Sequence, residues 1–214
     1  MIAATEILLA GKDLAVHARL SIYRELLGRW QKTVNLVAAS TIEDAWRRHF
    51  LDSLQLLPLA GGDWSNWIDL GSGGGFPGMV VAIANAGDEN RVVHLVESDK
   101  RKVAFLREVS RETGAKAEIH AGRIENILPE IADRIHFDVV SARALAPLNG
   151  LINYAQPVLK KGAVGLFLKG KGWLDELTDV ARDDSLNFTL VDSQTDAAAK
   201  IVVVRWHNSQ TTTV

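Results

Sequence analysis

The chain contains no cysteine, which excludes disulfide bridges, thiolate metal sites and cysteine nucleophiles, and no metal site is predicted. No apolar run approaches the roughly 20 residues of a membrane-spanning helix, so no membrane partner is predicted. The first residues lack the basic start of a secretory signal, and a cytoplasmic location is predicted.

Tyrosine is scarce, and neither Tyr23 nor Tyr154 has a lysine four positions later. This counts against a short-chain reductase, which needs Tyr-x-x-x-Lys.

The chain also lacks an excess of positive charge, with 24 Lys and Arg against 26 Asp and Glu and a formal net charge of −2. A generic nucleic-acid-binding domain usually carries a basic excess, so this balance counts against one. A local basic face is still compatible with it, because phosphate contacts act over only about a Debye length. A length of 214 residues suits a single large α/β domain or one domain with an attachment.

The sequence pattern changes character near residues 61 and 62. Over residues 14–30, apolar positions recur every three or four residues, which predicts an amphipathic helix with Leu14, Ile22 and Leu26 on its buried face. A second helix is predicted over residues 42–57, with Thr41 as its N-cap and Pro58 as its stop. We therefore predict an N-terminal helical cap over residues 1–60, a second domain over 61–207 and a frayed polar tail over 208–214.

After residue 62, short apolar strands alternate with helices, which is typical of a parallel sheet covered on both faces. The last two predicted strands follow one another directly, so one edge of the sheet is expected to be antiparallel. The fold class is therefore α/β, a seven-stranded, mostly parallel, doubly wound sheet with an N-terminal helical cap. The predicted strands are 67–70, 91–96, 117–120, 137–141, 163–168, 188–191 and 201–206, and the helices between them are 78–86, 100–113, 124–131, 148–159 and 173–181.

A glycine-rich turn follows the first predicted strand, where Asp69 precedes Gly71, Gly73, Gly75 and Gly78. Glycines let the chain turn sharply and let a ligand lie against main-chain N–H groups. The spacing from Asp69 fits the D-x-G-x-G-x-G turn of S-adenosylmethionine-dependent methyltransferases, whereas Gly73-x-Gly75-x-x-Gly78 fits a dinucleotide fingerprint. The place of Asp69 in the strand end and the antiparallel edge favour the methyltransferase, and an NAD-binding reductase stays as an alternative.

Further candidate residues fall at the carboxyl ends of predicted strands, where open α/β sheets bind ligands. Glu97 ends the second strand and can accept hydrogen bonds from ribose hydroxyls, with Asp99 as a competing candidate. Ile124 and Glu125 follow the third strand and can flank an adenine. Arg143 follows the fourth strand and faces the same crevice. Each residue could instead be a capping or solvated side chain, so these assignments are hypotheses.

The motifs taken together resemble the bacterial small-subunit ribosomal RNA guanine-N7 methyltransferases, the glucose-inhibited division protein B family. They are residues 30–36 (WQKTVNL), 48–53 (RHFLDS), 69–78 (DLGSGGGFPG), 141–144 (SARA) and 168–170 (LKG), within a likeness that runs from about residue 20 to about 206. One departure is Gln31, where the family more often has asparagine. The resemblance implies a Rossmann-like class I methyltransferase fold, S-adenosylmethionine as cofactor, and cofactor contacts at Gly71, Phe76, Ile124, Glu125 and Arg143.

The resemblance also implies an acceptor, N7 of a guanine in small-subunit (16S) ribosomal RNA, naked or in a ribosomal particle. Guanine N7 carries a lone pair and no proton, so methyl transfer to it needs no general base, and positioning and electrostatics carry the reaction. Arg143, Lys169 and Arg123 are the predicted catalytic positioning residues, and Lys169 is expected to be free to face the acceptor. A monomer is predicted. A small-molecule methyltransferase, favoured by the near-neutral charge, is the alternative.

Overall fold

The computed structural model describes residues 14–207, and within that range seven strands form one sheet. The strands are β1 (Asn66–Leu70), β2 (Val92–Glu97), β3 (Ala117–Ala121), β4 (Val139–Arg143), β5 (Val164–Lys169), β6 (Leu186–Asp192) and β7 (Lys200–Trp206). The spatial order is β3-β2-β1-β4-β5-β7-β6, in which β1 to β5 run parallel and β7 pairs antiparallel with β5 and β6. The predicted fold class and its antiparallel edge are confirmed, whereas the predicted tail lies outside the described residues.

Helices cover both faces of the sheet, each over its own apolar cluster. The helices over residues 14–30, 78–84 and 100–113 pack on one face, and those over residues 124–132, 148–159 and 173–180 pack on the other. No helix within residues 14–207 has the length and apolar character needed to cross a lipid bilayer. The helices are α1 (Leu14–Trp30), α2 (Asp52–Leu54), α3 (Gly78–Ala84), α4 (Lys100–Thr113), α5 (Ile124–Ala132), α6 (Leu148–Leu159) and α7 (Trp173–Val180).

Helix α1 has the predicted bounds, but its buried face is rotated from the predicted one. Leu14 is 90% exposed and Ile22 is 39% exposed, so their predicted place on the buried face is wrong, although Leu26 is buried. The buried face is centred on Tyr23, whose ring stacks on Phe76 at a centroid distance of 5.3 Å. The spacing of apolar residues marks a helix, but the partner that the helix packs against selects which stripe is buried.

The predicted second helix, over residues 42–57, is wrong as a single helix. The segment forms a 3-10 turn (Ala39–Thr41), a π-helical turn (Trp46–Leu51), the short α2 and a further 3-10 turn (Leu57–Leu59) that contains Pro58. Thr41 is not an N-cap, because its hydroxyl donates to Ala38 O at 2.6 Å. The π-helical turn carries Phe50 into the core, where its ring meets Tyr23 and Phe76 edge to face.

Candidate active site

A cavity of about 970 Å³ opens at the carboxyl ends of the parallel strands, within the range of small-molecule sites. Cap residues 35–38, 47–49 and 52 form its opposite wall, and residues of the β6–β7 connection complete it. The structure brings together around this cavity every site residue that the sequence predicted: Gly71, Gly73, Phe76, Glu97, Arg123, Ile124, Glu125, Arg143 and Lys169.

Glu97 fastens the glycine turn to the end of β2. Its Oε2 accepts a hydrogen bond from Gly73 N at 2.8 Å, and its Oε1 accepts one from Asp99 N at 2.7 Å. A carboxylate offers about four acceptor positions, so about two are unused, and Glu97 lines the cavity. The competing candidate Asp99 caps α4 by accepting from Arg101 N and Lys102 N, and this favours Glu97 as the ribose acceptor.

The glycine turn exposes bare backbone to the cavity. Gly71 and Gly73 have φ of +64° and +56°, a region that residues with a Cβ adopt only with strain. A Cβ on Gly71 would come within 2.5 Å of a terminal methyl of Leu145, so that side chain would have to shift. A Cβ on Gly73 would meet only Gly71 O, at 3.7 Å, and would therefore project away from the protein. Because Gly73 lines the cavity, that space is open to a ligand.

Asp69 lies in β1, just before the glycine turn, and does not line the cavity. It is fully buried, and its Oδ1 accepts a hydrogen bond from Ser141 Oγ at 2.7 Å, while Trp67 Nε1 donates to the same hydroxyl at 2.8 Å. Its Oδ2 has no hydrogen-bond partner within residues 14–207. Burial raises the pKa of Asp69 to about 6. A Cβ on Gly78 would lie 2.6 Å from Asp69 Cβ, so glycine is what lets α3 begin against β1.

Arg143 joins the end of β4 to the cap. Its Nη1 donates to Arg48 O at 2.9 Å and to Asp52 Oδ2 at 3.2 Å. Its guanidinium carbon lies 5.1 Å from the centre of the Phe76 ring, a cation–π distance. Asp52 also accepts from Thr195 Oγ1 at 2.6 Å, which ties the β6–β7 connection to the same point. Asp52 lies one helical turn from His49 in the 48–53 motif, a spacing that predicts either a polar pair packing the cap onto the second domain or a substrate contact. Its bond to Arg143 favours the first of these.

His49 lies beside Arg143 in the cavity wall and is neutral at neutral pH. Burial, together with the nearby charges of Arg143 and Arg48, lowers the pKa of His49 to about 4. Its Nε2 lies 2.7 Å from the Thr41 hydroxyl, and its ring centre lies 4.9 Å from that of Phe76. The imidazole is therefore fixed in place and adds no charge to this wall.

Lys169 is not free to face an acceptor, and that expectation is wrong. It is 8% exposed, and its Nζ donates to Ala146 O at 2.9 Å and lies 2.6 Å from Glu176 Oε2. The same Glu176 oxygen accepts a hydrogen bond from Leu148 N at the start of α6. A strand-end position placed Lys169 correctly at the cavity, but the carboxylate that neutralises it comes from α7.

Positive charge is concentrated around the cavity although the chain as a whole is slightly acidic. Eight Lys and Arg side chains line the cavity, against five Asp and Glu side chains. Four of these cations form no side-chain hydrogen bond or ion pair within the described part of the chain, and we call them the rim cations: Arg48, Lys102, Arg123 and Lys171. Arg123, predicted as a site residue, is thus exposed and unpaired at the start of α5.

Gln31 holds the cap loop that forms part of the cavity wall. Its Nε2 donates to Val37 O at 2.8 Å, and its Oε1 accepts from Leu36 N at 3.0 Å and Val37 N at 3.1 Å. These bonds satisfy three backbone groups of a loop that has no regular partner. Gln31 therefore anchors the loop, and its position in the WQKTVNL motif is the signal that could have pointed to it.

The family described as GidB, rRNA small subunit methyltransferase G, matches residues 16–200. Two curated proteins named ribosomal RNA small subunit methyltransferase G are each 46% identical to this chain. The protein of Parvibaculum lavamentivorans aligns with 87% of this chain and 81% of its own length. The protein of Paramagnetospirillum magneticum aligns with 87% of both.

Among solved structures, the O-methyltransferase TomG from Streptomyces achromogenes, in complex with SAM, superposes with a TM-score of 0.61. Its sequence is 17% identical, and the superposition covers 92% of this chain and 91% of TomG. At this identity the likeness shows a shared fold, which is the class I methyltransferase fold predicted from the sequence.

Proposed function

The chain belongs to the GidB family of small-subunit ribosomal RNA methyltransferases, as its motifs predict, and we propose that it methylates N7 of a guanine in small-subunit (16S) ribosomal RNA. The methyl donor is S-adenosylmethionine. One observation carries the proposal: the bare glycine turn with Glu97 and the rim cations face the same cavity. A nucleoside cofactor and a polyanionic acceptor can therefore meet there.

The residues on the sheet side of the cavity fit the cofactor. We assign the backbone of Gly71 and Gly73 to its methionine side, and the open acceptor positions of Glu97 to its ribose hydroxyls. Ile124 and Glu125, at the start of α5, flank its adenine. When bound, S-adenosylmethionine supplies an electrophilic methyl group on a sulfonium.

Arg143 lies between the cofactor side and the cap side of the cavity, and we assign it to both. Its Nη1 is committed to the cap, whereas a guanidinium has five N–H donors, so others are free to orient a ligand. A donor to guanine O6 would hold the base without occupying N7, which must stay open to receive the methyl group. Phe76 supports the guanidinium from below.

The cap wall suits a reaction that removes no proton from its nucleophile. His49 is neutral and a weak base, because burial lowers its pKa to about 4. Guanine becomes cationic as N7 is methylated, and a neutral imidazole in this wall does not repel that charge. The arrangement therefore supports positioning without a general base.

The rim cations are proposed to bind RNA phosphates. Phosphate contacts by Lys and Arg supply most of the affinity of such complexes and act without base specificity. We further propose that residues 1–60 form the cap that supplies the acceptor wall, and that residues 61–207 form the cofactor-binding domain. The enzyme is proposed to act as a monomer in the cytoplasm.

The test is methylation in vitro with the full chain and S-adenosylmethionine labelled in its methyl group. The acceptors are deproteinised small-subunit ribosomal RNA, the assembled small subunit, and large-subunit ribosomal RNA as the control. Nucleoside digestion should place the label in 7-methylguanosine from one or both small-subunit samples and leave the control unlabelled. Label in another nucleoside, or in neither small-subunit sample, would refute the proposal and return the small-molecule methyltransferase as the alternative.

A further inference from the structure

Three metal-ligating side chains meet on strands β2 and β3, outside the cavity. In the parallel register His94 lies opposite Glu118, and Val96 lies opposite His120. Because side chains alternate across a strand, His94, Glu118 and His120 share one face of the sheet. It is the face on which α5 packs, and none of the three side chains lines the cavity.

The distances between the three side chains are those of neighbouring ligands around one small ion. His94 Nδ1 lies 3.0 Å from His120 Nε2 and 3.5 Å from Glu118 Oε2, and one ligand atom from each residue lies within 4.8 Å of the other two. Zinc binds nitrogen and oxygen ligands at about 2.0–2.2 Å, so two ligands of a tetrahedral site are roughly 3.3 Å apart. We propose that His94, Glu118 and His120 form a site for a divalent transition-metal ion of the zinc class, with water as a further ligand.

Without a metal, the two imidazoles are joined by a hydrogen bond. Their planes are 11° apart and their centres are 5.3 Å apart, so with 3.0 Å between the nitrogens the rings lie almost end to end. Metal binding requires the proton between the rings to move to the other nitrogen of its own ring, with no net loss of protons. It also requires His120 to tilt until both lone pairs point to the ion.

The cluster has one fixed ligand and two adjustable ones, which is what this change needs. His94 is 2% exposed and packs edge to face on Phe137. The side chain of Glu118 is 59% exposed, and His120 is half-buried, so both can move towards the ion.

With the ion on Nδ1 of His94, the ring proton sits on Nε2. This atom is buried without a hydrogen-bond partner within residues 14–207, so the assignment depends on the distances between the ligands and not on Nε2. The sequence predicts no metal site because it has no cysteine, whereas these ligands come together only through the pairing of β2 with β3.

A metal ion here would tie the edge strand β3 to β2 just before Gly122, which lines the cavity. Since an ion that binds only the folded state raises its stability, Zn²⁺ should raise the melting temperature of the full, chelator-treated chain. When the free Zn²⁺ concentration is a hundred times the dissociation constant, the melting temperature should rise by roughly 5–10 °C. Calorimetry with ZnCl₂ should give one ion per chain.

Two variants and one control test the assignment. Glu118→Gln, at an exposed position, and His120→Ala should each weaken Zn²⁺ binding at least ten-fold and reduce the thermal shift. The control His136→Ala removes an exposed histidine that lies 3.7 Å from Asp138 and should keep the full shift. Within residues 14–207 this His–carboxylate pair has no third ligand beside it. Affinity for S-adenosylmethionine, measured on each variant, verifies that the chain is folded.

Either of two results would overturn the proposal. One is a wild-type chain whose melting temperature does not change with Zn²⁺. The other is a Zn²⁺-induced rise in melting temperature that is as large in Glu118→Gln and His120→Ala as in the wild-type chain. None of these measurements uses RNA, so their outcome is independent of the proposed acceptor.

Discussion

Replacing Gly73 with alanine separates the cofactor-cradling role of the glycine turn from its role in the fold. The substitution forces a residue with a Cβ into φ +56°, which costs about 1–2 kcal/mol of stability. The new methyl group meets no protein atom closer than 3.7 Å, so no packing loss is added. For a chain of this size the melting temperature should fall by roughly 2–8 °C.

The same methyl group projects into the space that we assign to S-adenosylmethionine. Binding should therefore weaken at least ten-fold, which corresponds to about 1.4 kcal/mol or more. Isothermal titration calorimetry of the folded variant at 25 °C measures this directly, since the stability loss leaves most molecules folded.

Gly114→Ala is the matched control for this substitution. Gly114 ends α4 with φ +63°, nothing lies within 4 Å of an added Cβ, and the residue does not line the cavity. Gly114→Ala should show a similar fall in melting temperature and unchanged cofactor affinity. If the two variants bind S-adenosylmethionine equally well, the turn does not cradle the cofactor, and the reasoning from its backbone is wrong.

Three further predictions follow from the site. Glu97→Gln should weaken S-adenosylmethionine binding ten- to a hundred-fold, because a charged acceptor contributes about 1.5–3 kcal/mol per hydrogen bond; unchanged affinity in calorimetry would remove Glu97 from the site. Lys169→Met should lower the free energy of unfolding by about 2–3 kcal/mol, because it leaves the Glu176 carboxylate without its cation. Adding Glu176→Gln should restore part of the loss. A Lys169→Met variant with unchanged stability in urea titration would contradict this. The pKa of His49 falls from 6.5 to about 4 on folding, so between these pH values the unfolded chain binds more protons than the folded chain. The contribution of neutral His49 to the free energy of unfolding is therefore lost as the pH falls from 6.5 to 4. His49→Gln should flatten stability against pH over that window relative to His17→Gln, and equal slopes would count against the buried neutral imidazole.

Elements whose ends carry local signals were predictable from the sequence. The bounds of α4 are those predicted, because Asp99 caps its start through two backbone N–H groups and Gly114 ends it in the left-handed region. The predicted strands differ from β1 to β7 by at most two residues at each end. The glycine turn and the strand-end residues reached the cavity because open α/β sheets place such positions at one edge.

Features that depend on distant partners were not predictable in the same way. The π-helical turn at Trp46–Leu51 is fixed by the packing of Phe50 against Tyr23 and Phe76, and spacing along the chain carries no sign of it. Lys169 has the position of a free cation, yet Glu176 from the following helix neutralises it.

Methylation of guanine N7 in small-subunit ribosomal RNA is tested most directly on cellular RNA. Small-subunit ribosomal RNA is purified from cells with the gene, without it, and without it but supplied with the gene again, and its nucleosides are measured by mass spectrometry. One 7-methylguanosine per RNA should be lost with the gene and restored by its return. An unchanged 7-methylguanosine content in cells that lack the gene would contradict it.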